Sequence, residues 1–134
     1  MMTVDANGLP LTAQVHGANQ AEVKAIVPLV DSLPFVDKLP TYLLYDKAAD
    51  SDPLRDELED GYRIELITPH RKNRKRPKRQ DGRKLRRYKR RWKVERTIGW
   101  LKNFRRILVR YEHCPKRYLA WVQLASVFTI LHRF

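Results

Sequence analysis

The stretch Thr41–Pro69, TYLLYDKAADSDPLRDELEDGYRIELITP, decides the fold class. Its opening TYLLYD is a short apolar strand that closes on Asp46. Asp52 followed by Pro53 suits a helix N-cap and first helical position, and Gly61 is the expected stop of that helix. YRIELITP then reads as a second strand, ended by Pro69. Working towards the N-terminus, Asn7-Gly8 is a preferred hairpin turn pair, with TVD before it and LPLTAQV after. Asn19 and Glu22 resemble a capping box, and Val23, Ile26, Val27, Val30 and Leu33 repeat at helical spacing behind them. Strand, helix, strand, helix, strand argues for an α/β chain: a mixed sheet with helical crossovers.

Working towards the C-terminus, the character of the chain changes. Residues 1–70 carry a charge balance of −7, residues 71–110 one of +18, and the remainder +2, giving the net +13 over 134 residues. The domain plan is therefore 1–69 for strands and crossover helices, 70–84 for a basic loop broken by Pro77 and Gly82, and 85–134 for C-terminal helices. This asymmetry points to a polyanionic partner, and it places a nucleic-acid surface on Arg71, Lys72, Arg74, Lys75, Arg76, Lys78 and Arg79, with Arg90 and Lys93 beyond the loop. One cysteine, Cys114, excludes an internal disulfide framework and a Cys-rich zinc site, and His113 beside it reads as a bystander. The start MMTVDANGLP lacks the features of a signal peptide, and Leu119–Leu131 is too short and too interrupted to span a bilayer. A cytosolic protein with no membrane partner is expected. Within Leu119–Leu131 core packing is the expectation, with a dimer contact as the alternative.

One long helix is expected from Leu85 to Arg110, followed by another from Pro115. At 100° per residue, Val94, Ile98, Leu101, Phe104 and Leu108 share an arc that should pack against the sheet. Tyr88, Arg91, Glu95 and Lys102 form a narrow stripe along its border. Glu95 is the one acid between Asp81 and Glu112. Read plainly, it makes an i,i+4 ion pair with Arg91, worth a few tenths of a kcal/mol. Read functionally, it is a hard-oxygen ligand for a divalent metal amid cations that hold phosphates.

The stripe matches the Y-(2)-R-(3)-E-(6)-K signature of bacterial insertion-sequence transposases of the DDE type, which this chain resembles. RRWKVERTIGWLKNFRRILVRYE around it, DKAADSDPLRDEL, VDANGLPL and ELITPHRKNRKRP are similar to the same family, in order and over nearly the whole chain. The resemblance implies an RNase H-like fold in which Asp, Asp and Glu hold two ions, Mg²⁺ or Mn²⁺, for cleavage and strand transfer on DNA. By position, Asp46 matches the second aspartate and Glu95 the glutamate. Tyr88, Arg91 and Lys102 would position DNA. The implied partners are terminal inverted repeats and target DNA, and a homo-oligomer on DNA or an upstream-frame product stays open.

Two departures carry expectations. The family's first aspartate lies on a strand upstream of the hairpin, where this sequence starts; Asp5 would lie at the wrong end of the sheet to replace it. The first strand and one metal ligand are thus expected to be missing, as in the downstream frame of a frameshifted product or a decayed fragment, with little activity from this chain alone. Ala49 stands where the family carries tyrosine, and a looser loop after Asp46 is expected. The rival from another class is a basic nucleic-acid-binding module without chemistry. Reading RKNRKRPKR as a nuclear localisation signal ranks below both.

Overall fold

The computed structural model describes residues 1–17, 19–79 and 82–133; Gln80 and Asp81 of the basic loop and Phe134 fall outside that range. The chain is α/β, as its alternating patterns demand. β1 (Met2–Val4) and β2 (Pro10–Ala13) form an antiparallel hairpin, and α1 (Glu22–Asp31) follows. β3 (Tyr42–Leu44), α2 (Asp52–Tyr62) and β4 (Glu65–Ile67) build a parallel crossover unit, with Tyr42 opposite Glu65 and Leu44 opposite Ile67. Four helices complete the chain: α3 (Leu85–Tyr88), α4 (Trp92–Leu101), α5 (Arg105–Leu108) and α6 (Pro115–Leu131).

The single sheet expected from sequence is replaced by two two-stranded sheets among the described residues. The hairpin is held by helices instead: α4 lies against β1 and α6 against β2. Its connection is a three-residue loop, closed where the Asp5 amide donates to the Leu9 carbonyl at 2.9 Å. Gly8 takes φ +86° there, and the register shifts between Thr3 and Val4, as a left-handed residue at a hairpin bulge requires. Both Asn7 and Leu9 amides donate to Asp5 Oδ1, so this carboxylate serves the turn.

Three local expectations change for physical reasons. No side chain caps α1, which begins after Ala21, so the Asn19–Glu22 capping box does not form; Glu22 instead accepts from the Tyr45 hydroxyl at 3.3 Å. α2 runs through Gly61, and Arg63 takes the left-handed conformation at φ 55°. Its amide reaches Glu59 O and that of Ile64 reaches Leu58 O, which closes the helix in a Schellman motif. The long helix expected over 85–110 is divided. Lys89–Arg91 is a 3₁₀ turn, and beyond Leu101 the amides of Asn103 and Phe104 bond three residues back, to Trp100 and Leu101. That tightening rotates the apolar arc out of line. Leu101 is buried, but Ile98, Phe104 and Leu108 remain exposed, and Thr97 becomes the contact residue.

The core lies between α1, α2 and the parallel pair: Ile26, Val30, Leu33, Ala49, Leu54, Leu58, Ile64 and Leu66 are all buried together. Ala49 is fully enclosed, so the turn after Asp46 is anchored by this small side chain in the core. Among the described residues no helix is long and apolar enough to cross a membrane. Leu58 has no exposed surface, and truncating it leaves a cavity that short flanking strands cannot collapse to fill. Leu58→Ala should therefore lower unfolding free energy in urea by roughly 2–5 kcal/mol. Phe35→Ala, at a side chain 60% exposed, should stay within about 0.5 kcal/mol.

Candidate carboxylate site and nucleic-acid surface

Asp46 follows β3 at its carboxyl end, where ligand groups gather in parallel α/β units. Its backbone is pinned by Thr68, a fully buried residue just past β4, whose hydroxyl donates to Asp46 O at 2.5 Å. Asp46 Oδ1 accepts from the Ala48 amide at 2.8 Å and so caps the 3₁₀ turn Lys47–Ala49. Its other oxygen faces Arg91, with Nη2 to Oδ2 at 3.9 Å. The second guanidinium nitrogen, Nη1, lies 3.5 Å from Glu95 Oε1 and 3.4 Å from the Tyr88 hydroxyl.

One arginine thus draws together two carboxylates from distant parts of the sequence. Three of the four stripe residues, Tyr88, Arg91 and Glu95, meet Asp46 here. Lys102 does not join them; it caps the far end of α4, seven residues or roughly 10 Å along the helix from Glu95. The i,i+4 pair exists, but Glu95 keeps 61% of its side chain exposed, so in water the pair contributes little to stability. The arrangement leaves two hard oxygen donors accessible to solvent beside a cation. Among the described residues no group of three or more His, Cys, Asp or Glu side chains is placed to hold a metal, and this includes the His113–Cys114 pair.

A second cluster, which sequence reasoning passed over, lies four residues from Asp46. Asp50 reads in sequence as a helix-start charge, yet its side chain is 98% buried by this fold, at 2% exposure. It accepts from Arg55 Nη2 at 3.0 Å, Arg74 Nη1 at 3.2 Å and the Arg71 amide at 2.9 Å, and pairs with His70 Nδ1 at 2.9 Å. Arg55, itself buried on the inner face of α2, also donates to Leu66 O at 2.8 Å. Burial opposes ionisation of Asp50, but the Arg71 amide, His70 and Arg55 outweigh it and hold the carboxyl at about 2.

This cluster reorganises the basic loop. Arg71 donates to the carbonyls of Lys47 and Ala48, at 3.1 and 2.7 Å, which fastens the turn behind Asp46. Arg74 grips both oxygens of Asp52, Arg76 reaches Asp52 at 3.3 Å, and Arg79 reaches Asp56 at 2.5 Å. Lys93 bonds the Ala6 carbonyl of the hairpin turn. Of the nine cations assigned from sequence to a polyanion, five therefore have partners within the fold. Lys72, Lys75, Lys78 and Arg90 are exposed and have no ion pair among the described residues.

The family profile for the transposase DDE domain matches residues 1–130. The chain belongs to the transposase DDE family. A putative transposase for insertion sequence element IS402 from Burkholderia cepacia is 34% identical to this transposase-family chain over an alignment 130 residues long that covers 92% of the chain. The matched region is 57% of that relative's length. No solved structure matches the chain.

The buried Asp50 cluster gives stability a pH dependence of definite sign. The folded pKa of Asp50 lies below the unfolded value, so its contribution is complete above about pH 4 and is lost as pH falls towards 2. Asp50→Asn should cost roughly 3–5 kcal/mol at neutral pH, because it breaks a buried charged network from one side. In urea titrations between pH 7 and 2.5, the gap between parent and variant should narrow towards the acid end. A gap independent of pH would mean that Asp50 acts by packing alone.

Proposed function

We propose that this chain provides two metal-binding carboxylates and the DNA-facing surface of a transposase catalytic domain with an RNase H-like arrangement. The observation that carries the reading is the meeting of Asp46 and Glu95 at Arg91. Members of the transposase DDE family generally use divalent ions. The donor set suits one: Mg²⁺ takes one or two carboxylates and fills its remaining positions with water and phosphate oxygens. Asp46 and Glu95 would hold it, and when bound it would activate an attacking oxygen and stabilise a leaving one.

The chain's own residues do the rest. Thr68, Ala48 and Arg71 fix the backbone around Asp46, so its free oxygen is aimed before any ligand arrives. Tyr88 and Arg91 stand where a phosphate approaching the two carboxylates would need a hydrogen-bond donor and a countercharge. Arg91 would hold both carboxylates beside one another until a stronger cation displaces it. Lys72, Lys75, Lys78 and Arg90 supply the long-range attraction to the duplex, while Lys102 extends the track along α4. A third carboxylate, required for a second ion, would come from outside the described residues. Recognition of insertion-sequence ends and strand transfer belong to the same proposal for the complete transposase.

A non-catalytic binding module is the second reading, and it too has an observation behind it. Arg91 already neutralises part of the charge on both carboxylates, as in a structural ion-pair bridge. Manganese binding separates the two. Titration of Mn²⁺ followed by electron paramagnetic resonance should show one weak site, and Asp46→Asn or Glu95→Gln should each weaken it at least tenfold. Duplex affinity in both variants should hold or rise, since each removes a negative charge from a basic surface. Unchanged manganese binding in both variants would leave the binding module as the better description.

DNA binding itself has a sharper signature. Neutralising Z phosphates makes affinity fall with salt at a slope of about −0.9Z. Replacing Lys72, Lys75, Lys78 and Arg90 together by alanine should flatten the slope by roughly 3–4. Arg74→Ala should leave the slope almost unchanged and lower thermal stability, because Arg74 is held by Asp50 and Asp52.

A further inference from the structure

An acidic and a basic stretch of the chain lie against each other. Residues 50–60 carry six acids and one cation, Arg55, whereas residues 71–79 carry seven cations and no acid. The two meet along the N-terminal half of α2. Arg74 and Arg76 pair with Asp52, and Arg79 pairs with Asp56 one turn further on. Lys75 and Lys78, interleaved with these arginines, make no ion pair among the described residues.

The three arginines are not equivalent. Arg74 is 10% exposed, and besides Asp52 it holds Asp50 at 3.2 Å and the Pro77 carbonyl at 3.0 Å. It ties the backbone of the loop to the fold. Arg76 and Arg79 each have one carboxylate partner among the described residues, and they remain 71% and 42% exposed. Ion pairs this open to water contribute little. Both guanidinium groups can therefore change partner while Arg74 keeps the loop in place. The acids they leave are not stranded: Asp52 retains Arg74, and Asp56 is half exposed and is hydrated instead.

We infer that α2 is a built-in competitor for DNA: Asp52 and Asp56 hold Arg76 and Arg79 in the free chain, and a bound duplex takes both guanidinium groups from them. This rests on the basic loop being the DNA-facing surface. Charge density sets the direction of the exchange. Asp52 and Asp56 are four residues apart, roughly 6 Å of helix axis. Each strand of a duplex carries one charge per roughly 3.4 Å and releases condensed counterions when it is neutralised. Two carboxylates on a protein surface offer no such gain, and a phosphate accepts the guanidinium fork as well as they do. Binding is then staged. Lys72, Lys75, Lys78 and Arg90 attract the duplex from a distance, and Arg76 and Arg79 join only where phosphates come close enough to displace the acids. Loose encounters are held by the first set alone.

A double-mutant cycle on the intact chain tests the exchange, with affinity for a random-sequence duplex read by fluorescence anisotropy in about 0.1 M salt. Asp56→Asn should tighten binding about three- to fivefold, near the most that an exposed ion pair contributes to an equilibrium. In an Arg79→Ala background the same substitution should change affinity by less than about twofold, because no guanidinium is left to release. Glu57→Gln removes an exposed acid of α2 that holds no arginine among the described residues, and Asp56→Glu keeps the charge; both should stay within about twofold of the parent. Far-UV circular dichroism and the urea midpoint check that the variants are folded. If Asp56→Asn loses helix, Asp56→Ala, with the better helix former, should show the same gain and the same dependence on Arg79. A gain that persists in the Arg79→Ala background overturns the inference, as does one no larger than that of Glu57→Gln; either would be a bulk effect of charge. In both cases a salt slope that still depends on Lys72, Lys75, Lys78 and Arg90 would leave the DNA-facing surface standing. A chain that binds no duplex overturns that reading and the inference with it.

Discussion

The burial of Asp50 is the constraint on which the arrangement of the site depends. A carboxylate at 2% exposure is costly unless its oxygens are fully engaged, and here four groups engage it. They come from three parts of the chain: Arg55 from α2, His70 and the Arg71 amide from the exit of β4, and Arg74 from further along the basic loop. Satisfying one charge therefore fixes how β4 leaves the crossover unit and where the loop returns. Arg71, held by its amide at Asp50, is then in reach of the Lys47 and Ala48 carbonyls, and these set the turn that follows Asp46. The accuracy of the exposed carboxylate is inherited from the buried one.

The same geometry divides the cations by chemistry. The loop arginines are mostly turned inwards, onto carboxylates and carbonyls, where a planar fork with several donors can satisfy more than one acceptor at a time. Lys72, Lys75 and Lys78 remain in solvent, where a compact ammonium on a flexible stem adapts to a moving polyanion. A basic run of this kind is thus both a structural strap and an electrostatic surface. Its formal charge overstates what a duplex would feel.

The sequence is legible where its signals are local. The apolar strand TYLLY, the Asp52-Pro53 helix start and the strand IELI stand within a few residues of what marks them, and the crossover unit forms as they suggest. The ends are less legible. Gly61 looks like a stop, but the left-handed residue is Arg63, because the cap is set by which carbonyls remain unpaired. The break after Leu101 has no proline or glycine to announce it, and Gly99 sits undisturbed within α4. The site is half legible. Arg91 and Glu95 are neighbours on any helix, whereas the approach of Asp46 to the same guanidinium needs the tertiary fold. The Asp50 cluster is hidden for a related reason: most of its partners are 20 or more residues distant, and a run such as HRKNRKRPKR offers no sign of which arginine faces inwards.

The hairpin turn has a mechanical consequence. Its carbonyls at Ala6, Asn7 and Gly8 are taken by Lys93, Arg96 and Thr97 of α4, and Arg133, beyond α6, reaches Asn7 as well. Gly8 leaves no room for more, since a Cβ there would meet Arg96 at 3.0 Å. The first turn of the chain and its last described residue are therefore clasped together, so that a load drawing the two ends apart acts on this clasp before it reaches the core. Three of these four contacts lie at an exposed rim and yield before the buried Thr97–Gly8 bond, and the hairpin, which among the described residues no strand joins to β3 or β4, would part from the helices while the crossover unit stayed intact. Tension on the ends would thus unfasten Lys93 and Arg96 from the hairpin while Asp46 remained on its own anchored turn.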